Sequence, residues 1–238
     1  MEPLEHMMMT PAPTARRPLL GLTVLVVEDS RFASESLRLL CLRSGARIRR
    51  ADSLETAKRH LAIYRPSVLM VDLGLPDGSG LALIETLAAA SPRIDVILGT
   101  SGDPTAQGAV ISAGADGFLS KPIASIAAFQ SAILQHLPAD RQPPAPRAVS
   151  TESVHPDPIA YQDDLNHIAA VLNDNDADHD IGYVTQFLGS VARSAEDHDL
   201  DQAVRALVQR RRAGQDSIHE VSRLSALVQS RLTAGGRV

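Results

Sequence analysis

Apolar and amphipathic segments alternate along residues 22–136. Four short apolar runs are predicted to be strands: LTVLVV (22–27), SVLMV (67–71), IDVILG (94–99) and the shorter DGFLS (116–120). RIRRA (47–51) is predicted to be a fifth, weaker strand. Between and after them, apolar residues recur every three to four positions, which predicts helices at 31–44, 54–64, 80–90, 105–113 and 123–136. Ser53 is the predicted N-cap of the second helix. Continuous apolar strands separated by helices predict a doubly wound α/β fold with a five-stranded parallel sheet.

The pattern changes on both sides of this alternating region. Residues 1–20 read as a disordered leader and residues 139–158 as a stiff, proline-rich linker, so the predicted sheet domain spans residues 21–138. Residues 159–238 predict a separate all-α domain, with two apolar helical stripes followed by a long segment from 200 to 232. The heptad-like spacing of that segment is interrupted at Arg211, Gly214 and Ser225. Two interpretations stay open: a three-helix bundle with a kinked last helix, and a dimerising coiled coil.

Composition and charge narrow the classes of partner. The chain has 238 residues, of which 44% are hydrophobic, so it can bury a substantial core. Residues 150–238 carry 8 basic and 14 acidic side chains, which makes DNA an unlikely partner on electrostatic grounds.

Cysteine content and hydropathy add two further expectations. The single cysteine, Cys41, excludes an internal disulfide and is predicted to be buried. No apolar run reaches the length of a membrane span, so the expectation is a cytoplasmic protein without a membrane partner.

Charged and hydroxyl side chains stand at the predicted strand ends. Glu28 and Asp29 follow the first strand, Asp72 the third, Thr100 the fourth and Lys121 the fifth. The carboxyl ends of parallel strands share one edge, where such sheets place their functional sites. Three carboxylates repel one another without a cation, and oxygen ligands with few protein donors favour Mg²⁺. At this point Asp72 can still be a helix cap, a metal ligand or a nucleophile.

Four segments together resemble a two-component response-regulator receiver domain. They are VLVVEDS (24–30), VDLGLPDGSG (71–80), VILGTSGDP (96–104) and GADGFLSKP (114–122). The separations of 43, 28 and 21 residues between Asp29, Asp72, Thr100 and Lys121 fit that family's pattern. The resemblance covers about residues 21–138 and implies a flavodoxin-like receiver fold.

The resemblance also implies a chemistry. Asp72 would accept a phosphoryl group from a histidine kinase or a histidine phosphotransfer protein, and Thr100 and Lys121 would assist the transfer. Mg²⁺ would bind the side chains of Glu28, Asp29 and Asp72 and the backbone carbonyl of Gly74. The chain would then be a phosphoprotein of a bacterial phosphorelay that assists its own phosphoryl transfer and hydrolysis, rather than an enzyme acting on other substrates.

The same resemblance implies a conformational switch. Thr100 would move toward the phosphoryl group and Phe118 would swing inward. The bond from Lys121 to Pro122 is expected to be cis, as in the family. Gly74 stands where many receivers carry a polar side chain, which leaves the lifetime of the acyl phosphate undetermined.

No motif in the helical half identifies its function. One hypothesis is that it binds a protein partner or forms a homodimer. A second is a divergent DNA-binding domain, to which Arg210, Arg211 and Arg212 could contribute, and a third is a phosphorelay role for His219. A calcium loop at 173–180 is disfavoured, because His179 and Thr185 stand where such a loop requires Gly and Glu.

Overall fold

The computed structural model describes residues 12–143, 150–173 and 181–235. Its centre is a five-stranded sheet of β1 (Thr23–Val27), β2 (Arg47–Ala51), β3 (Val68–Asp72), β4 (Val96–Ser101) and β5 (Gly117–Ser120). All neighbouring strands are parallel, in the order β2-β1-β3-β4-β5. The connecting helices are α1 (Arg31–Ser44), α2 (Leu54–Ile63), α3 (Gly80–Ala88), α4 (Gln107–Ser112) and α5 (Ile126–Leu134). The predicted doubly wound α/β fold is confirmed.

The central strands are apolar throughout because both faces of the sheet are covered. Successive residues of a strand point to opposite faces. Val24, Val26 and Met70 pack into a core with α1 and α5, and that core also holds the thiol of Cys41. The alternate positions, among them Leu25 and Val71, pack into a second core with α2, α3 and α4. Burial raises the pKa of Cys41 to about 12, as expected for an unreactive core thiol.

Ser53 caps α2 as predicted, since its side chain accepts a hydrogen bond from the Thr56 amide at 3.2 Å. Asp77, from the loop after β3, accepts two more from the amides of Leu54 and Glu55 at 2.8 and 2.9 Å. This carboxylate therefore ties the loop beside Asp72 to the start of a neighbouring helix, close to the helix N-terminus where negative charge is favoured.

The domain of the sheet extends beyond the predicted boundaries on both sides. Leu19, assigned to the disordered leader, is fully buried in the first core, and its amide bonds to the Ser44 carbonyl at 3.0 Å. Val154, assigned to the linker, is buried in the same core and pairs with Ala124 through a 2.9 Å backbone hydrogen bond. Both segments are held because each inserts an apolar side chain. Residues 1–11 and 144–149 lie outside the described residues.

The C-terminal half is all-helical, as predicted, with helices α6 (Pro158–Asn173), α7 (Ile181–Ser194), α8 (His198–Arg212) and α9 (Ile218–Gly235). The predicted single, kinked third helix is wrong: the segment divides into α8 and α9 at a turn where Gly214 adopts φ 65°. Four apolar positions of its seam, Leu200, Val204, Leu207 and Val228, are buried in this domain's own core with α6 and α7. The coiled-coil interpretation, which needs the seam at a surface shared with a second chain, does not fit these positions. Most of the stretch proposed as a calcium loop, 174–180, falls outside the described residues. None of the described helices is long and apolar enough to cross a membrane.

Asp197 connects three helices of this domain. Its carboxylate caps α8 through the Leu200 amide at 3.1 Å and accepts the Tyr161 hydroxyl of α6 at 2.8 Å. Arg231 of α9 donates two further hydrogen bonds at 2.7 and 3.1 Å. These bonds, led by those from Arg231, lower the pKa of Asp197 to about 2.

We expect Asp197→Ala to lower the free energy of unfolding by about 2–4 kcal/mol, because it removes a cap and a charge-assisted pair together. Asp199→Ala is the matched control: Asp199 also contacts Arg231, at 3.0 Å, but its side chain is 75% exposed, so the loss should stay below about 1 kcal/mol. Urea unfolding followed by circular dichroism measures both. Since the Asp197 pKa is depressed, its contribution is present above about pH 3.9 and is lost as the pH falls toward 2.

Gly99 allows α4 to pack closely on the sheet. A glycine inside a strand usually weakens it, but a Cβ at this position would lie 2.6 Å from the Val110 side chain of α4. The glycine therefore makes room for a buried contact.

We expect Gly99→Ala to destabilise the protein by about 1–3 kcal/mol, because it overpacks a filled core. Gly108→Ala, in α4 itself, meets nothing within 4 Å and should stabilise by about 0.5–1 kcal/mol through helix propensity. Thermal unfolding of the two variants compares them directly; equal effects would contradict this account of Gly99.

Candidate functional site

The structure brings the predicted carboxylates together at the carboxyl edge of the sheet. Glu28 and Asp29 follow β1, and Asp72 is the last residue of β3, which pairs directly with β1. One oxygen from each of the three side chains lies within 4.8 Å of the others. Glu28 and Asp72 are buried, at 3% and 6% exposure. Parallel pairing of apolar strands therefore assembles an acidic cluster with little access to water.

Lys121, which follows β5, places its ammonium in this cluster. Its Nζ lies 2.6 Å from Glu28 Oε2 and 3.0 Å from Asp72 Oδ1. The bond from Lys121 to Pro122 is cis, as expected. Two of the three predicted acidic residues, Glu28 and Asp72, are thus in direct contact with the predicted lysine.

One ammonium does not balance three clustered carboxylates, of which Glu28 and Asp72 are buried and Asp29 is partly buried. Burial, reinforced by the negative charge of Asp72, raises the pKa of Glu28 to about 8 and that of Asp29 to about 7, despite the opposing effect of Lys121. Burial alone would lower the pKa of Lys121, but the charges of Asp72 and Glu28 outweigh it and hold that pKa above its ordinary value. The cluster is therefore a site where an added cation is electrostatically favoured.

The donor set fits Mg²⁺. All three candidate side-chain ligands are carboxylates, the oxygen donors that this hard ion prefers. In addition, Glu28 Oε2 is buried and, among the described residues, accepts no hydrogen bond of good geometry. A cation would give that oxygen a further partner.

Thr100 lies beside Asp72. The two residues are partners in the register of β3 and β4, and Thr100 is 1% exposed. Ser101, the other hydroxyl at this strand end, accepts a hydrogen bond from the Asp103 amide at 3.1 Å instead. Phe118 of β5 is half-buried and pairs with Gly99. The positions agree with the predicted switch pair, whose movement stays a prediction.

Gly74 is close to Asp72 but is also covered by the helical domain. Its amide donates to Asp72 Oδ2 at 3.3 Å. A Cβ at Gly74 would collide with the side chain of Gln186 from α7. The role of its carbonyl as a metal ligand stays a prediction.

Contacts from α7 were not anticipated from the sequence. The Tyr183 hydroxyl donates to Asp29 Oδ2 at 3.1 Å, and Lys121 Nζ donates to Ser190 Oγ at 3.0 Å. Arg193, one helical turn beyond Ser190, lies against Gly102 in the loop after β4. The helical domain therefore sits on the acidic cluster.

Asp164 of α6 was also missed. Its carboxylate accepts hydrogen bonds from the Ser30 hydroxyl at 2.7 Å and from the amides of Arg31 and Phe32 at 2.8 and 3.1 Å. It thereby caps α1 from the other domain.

The sequence did contain a signal for the contacts of α7. Polar residues at 183, 186, 190 and 193 form a stripe at helical spacing beside the apolar stripe of this helix. The pattern alone does not identify the surface that the stripe contacts.

Comparisons with known proteins agree with this geometry. Residues 24–133 match the family model of the response regulator receiver domain. The KDP operon transcriptional regulatory protein KdpE of Escherichia coli K12 is 34% identical over 99 residues, which cover 42% of this chain and 44% of that protein. The virulence transcriptional regulatory protein PhoP of Salmonella typhimurium LT2 is 33% identical over 100 residues, covering 42% and 45%. The chain thus matches less than half the length of these relatives.

Among solved structures, a CheY-like response regulator receiver domain from Methylobacillus flagellatus is 31% identical. The match covers 48% of this chain and 96% of that one, with a TM-score of 0.43. Both relatives named above are transcriptional regulatory proteins, so the expectation that DNA is an unlikely partner has no support from them. The segment matched by the family model, residues 24–133, contains the acidic cluster and Lys121. This chain has a two-component response regulator receiver domain at residues 24–133, followed by an all-helical domain.

Proposed function

We propose that Asp72 accepts a phosphoryl group from a histidine kinase or a histidine phosphotransfer protein in an Mg²⁺-dependent reaction. The observation that carries this proposal is a cluster of three carboxylates at the carboxyl edge of the sheet, two of which, Glu28 and Asp72, contact the buried ammonium of Lys121. The helical domain then conveys the state of Asp72 to a protein partner or to a second copy of the chain.

The reaction is a transfer between two nucleophiles. An oxygen of the Asp72 carboxylate forms a bond to phosphorus while the bond from phosphorus to the donor's histidine nitrogen breaks, and that nitrogen keeps the electron pair. Lys121, already 3.0 Å from Asp72 Oδ1, pairs with a phosphoryl oxygen of the product. Thr100 donates a hydrogen bond to another. Mg²⁺, held by Glu28, Asp29 and Asp72 with the Gly74 carbonyl, would neutralise charge on the phosphoryl oxygens.

Phosphorylation changes the charge of a buried site. The phosphoryl group adds about −1.5 to −2 charges beside Thr100 and the loop that follows it. A shift of Thr100 toward the new oxygens, with Phe118 turning inward, would alter the surface formed by α4, β5 and α5. This is a local charge change acting on a two-state element.

We expect acetyl phosphate with Mg²⁺ to label the wild-type chain, and Asp72→Asn to reduce labelling to background, since the amide is a poor nucleophile. Asp95→Asn is the matched control: Asp95 lies before β4 at the opposite edge of the sheet, in a surface pair with Arg141. Intact-protein mass spectrometry measures the added phosphoryl group. Labelling of Asp72→Asn at the wild-type rate would refute the assignment.

A second candidate output is DNA binding. It is favoured by the names of the two relatives and by the exposed run of Arg210, Arg211 and Arg212 at the end of α8. Against it stands the acidic excess of the helical half. The third hypothesis, a phosphorelay role for His219, gains no support from its exposed position on α9.

Size-exclusion chromatography with light scattering separates the outputs. We expect the phosphorylated chain to change its association state without DNA, and to leave promoter fragments unbound even at low salt, because the helical half is acidic. Asp72→Asn treated identically should stay as the untreated protein. Elution with DNA, lost on adding salt and in Arg211→Ala with Arg212→Ala, would favour the second candidate instead.

A further inference from the structure

Helix α7 is buried on two sides. Val184, Leu188 and Val191 face the core of the helical domain. Ser190 is buried as well, at 8% exposure, but it faces the receiver and contacts Lys121. Helix α7 therefore packs against both domains rather than facing solvent on one side.

The receiver-facing side of α7 meets all the functional loops at once. Tyr183, Gln186, Ser190 and Arg193 lie three, four and three residues apart, so they share one helical face. They contact four loops at the carboxyl ends of four different strands, through Asp29, Gly74, Lys121 and Gly102 respectively. The helix therefore lies across the edge that a phosphodonor has to approach.

These contacts use the groups that phosphorylation needs. The Tyr183 hydroxyl donates a hydrogen bond to an Asp29 oxygen that a metal ion would bind. The Ser190 hydroxyl accepts a hydrogen bond from the Lys121 ammonium, which would otherwise pair with a phosphoryl oxygen. Two cavities of about 830 and 1390 Å³ between the domains both reach Glu28, yet Asp72 lines neither. Asp72 itself is 6% exposed, and side chains of α7 lie against Gly74 and Asp29 beside it, so a donor protein cannot reach Asp72 in this arrangement.

Asp164 of α6 binds the helical domain, and with it α7, to the receiver at a position outside the acidic cluster. Asp164 supplies the acceptor for two amides of the first turn of α1, which would otherwise lack a partner within their own helix. Its carboxylate is 2% exposed and makes three hydrogen bonds, all to the receiver. Beside it, Asp163 forms an exposed pair with Arg31, at 2.8 Å.

The helical domain is tethered next to the site that it covers. Val154 is anchored in the receiver core, and α6 begins at Pro158. The chain between them is too short to let the helical domain diffuse away, so its effective concentration at the site is high. Release therefore requires rotation about residues 155–157 rather than dissociation.

We propose that α7 is an intramolecular cap on the phosphorylation site, so that closure by the helical domain competes with Mg²⁺ and with phosphorylation of Asp72. The cap rests on the proposed function for its role, but its geometry is independent of it. Since the competition is reciprocal, Mg²⁺ and phosphoryl transfer favour the open chain, in which the face of α7 becomes available to an output partner.

The test compares wild type, Asp164→Ala and Asp163→Ala as full-length chains. Asp164 and Asp163 are neighbours on α6, and neither is hydrogen-bonded to a carboxylate of the cluster. Loss of a nearby negative charge would by itself weaken Mg²⁺ binding, so tighter binding by Asp164→Ala reports opening. Isothermal titration calorimetry gives the Mg²⁺ dissociation constant, and acetyl phosphate gives the rate of Asp72 labelling. Circular dichroism checks that each variant is folded.

We expect Asp164→Ala to bind Mg²⁺ about tenfold more tightly than wild type and to label about tenfold faster, the usual size of such a coupling. Asp163→Ala should match wild type within about twofold, because an exposed pair contributes little. A reciprocal measurement needs no variant: saturating Mg²⁺ should speed hydrogen exchange of the Arg31 and Phe32 amides in wild type, since opening removes their acceptor.

The proposal is overturned if folded Asp164→Ala has the Mg²⁺ affinity and labelling rate of wild type. It is equally overturned if saturating Mg²⁺ leaves exchange of the Arg31 and Phe32 amides unchanged. If Mg²⁺ affinity and amide exchange respond as expected but Asp72 takes up no phosphoryl group in any protein, the cap stands and the proposed phosphorylation is wrong.

Discussion

The contact between the Lys121 ammonium and the buried carboxylates is the interaction on which the rest of the structure depends. It exists because apolar strands, covered on both faces, end at one edge and leave Glu28, Asp72 and Lys121 with little water. Isolated buried charge is costly, so the three groups hold one another in place. One positive charge remains too little for three carboxylates, and a further cation is therefore electrostatically favoured at the site.

The helical domain leaves that imbalance of charge in place. Its hydrogen bonds to the cluster come from neutral groups, the Tyr183 hydroxyl on Asp29 and the Ser190 hydroxyl on Lys121. Neither adds charge, so the closed form leaves the excess negative charge unrelieved. A metal ion would relieve it directly, and a phosphoryl group would claim Lys121. Closure and phosphorylation thus draw on the same few atoms, which gives a physical basis for coupling between them.

Much of the receiver could be predicted from the sequence, because each part has a local cause. The alternation of apolar strands and helices predicted the sheet, and Ser53 predicted the start of α2. The positions of Asp72 and Lys121 at strand ends predicted that they share one site. Non-local packing could not be predicted. Leu19 and Val154 looked like leader and linker because a single buried side chain leaves no periodicity. Gly214 interrupts the apolar residues of the third segment, but the three- and four-residue spacing resumes after it, so the sequence predicted a kinked helix where the structure has two helices. The polar stripe of α7 is visible in the sequence, but nothing in it identifies the receiver as the surface that it contacts.

Small-angle X-ray scattering of the full chain tests the central claim most directly, namely that closure and phosphorylation exclude each other. The radius of gyration is compared before and after treatment with acetyl phosphate and Mg²⁺, in wild type and in Asp72→Asn, at a concentration where both are shown to be monomeric. The account predicts that wild type expands in proportion to the fraction phosphorylated, while Asp72→Asn expands less. A fully phosphorylated wild-type chain as compact as the untreated one would contradict it.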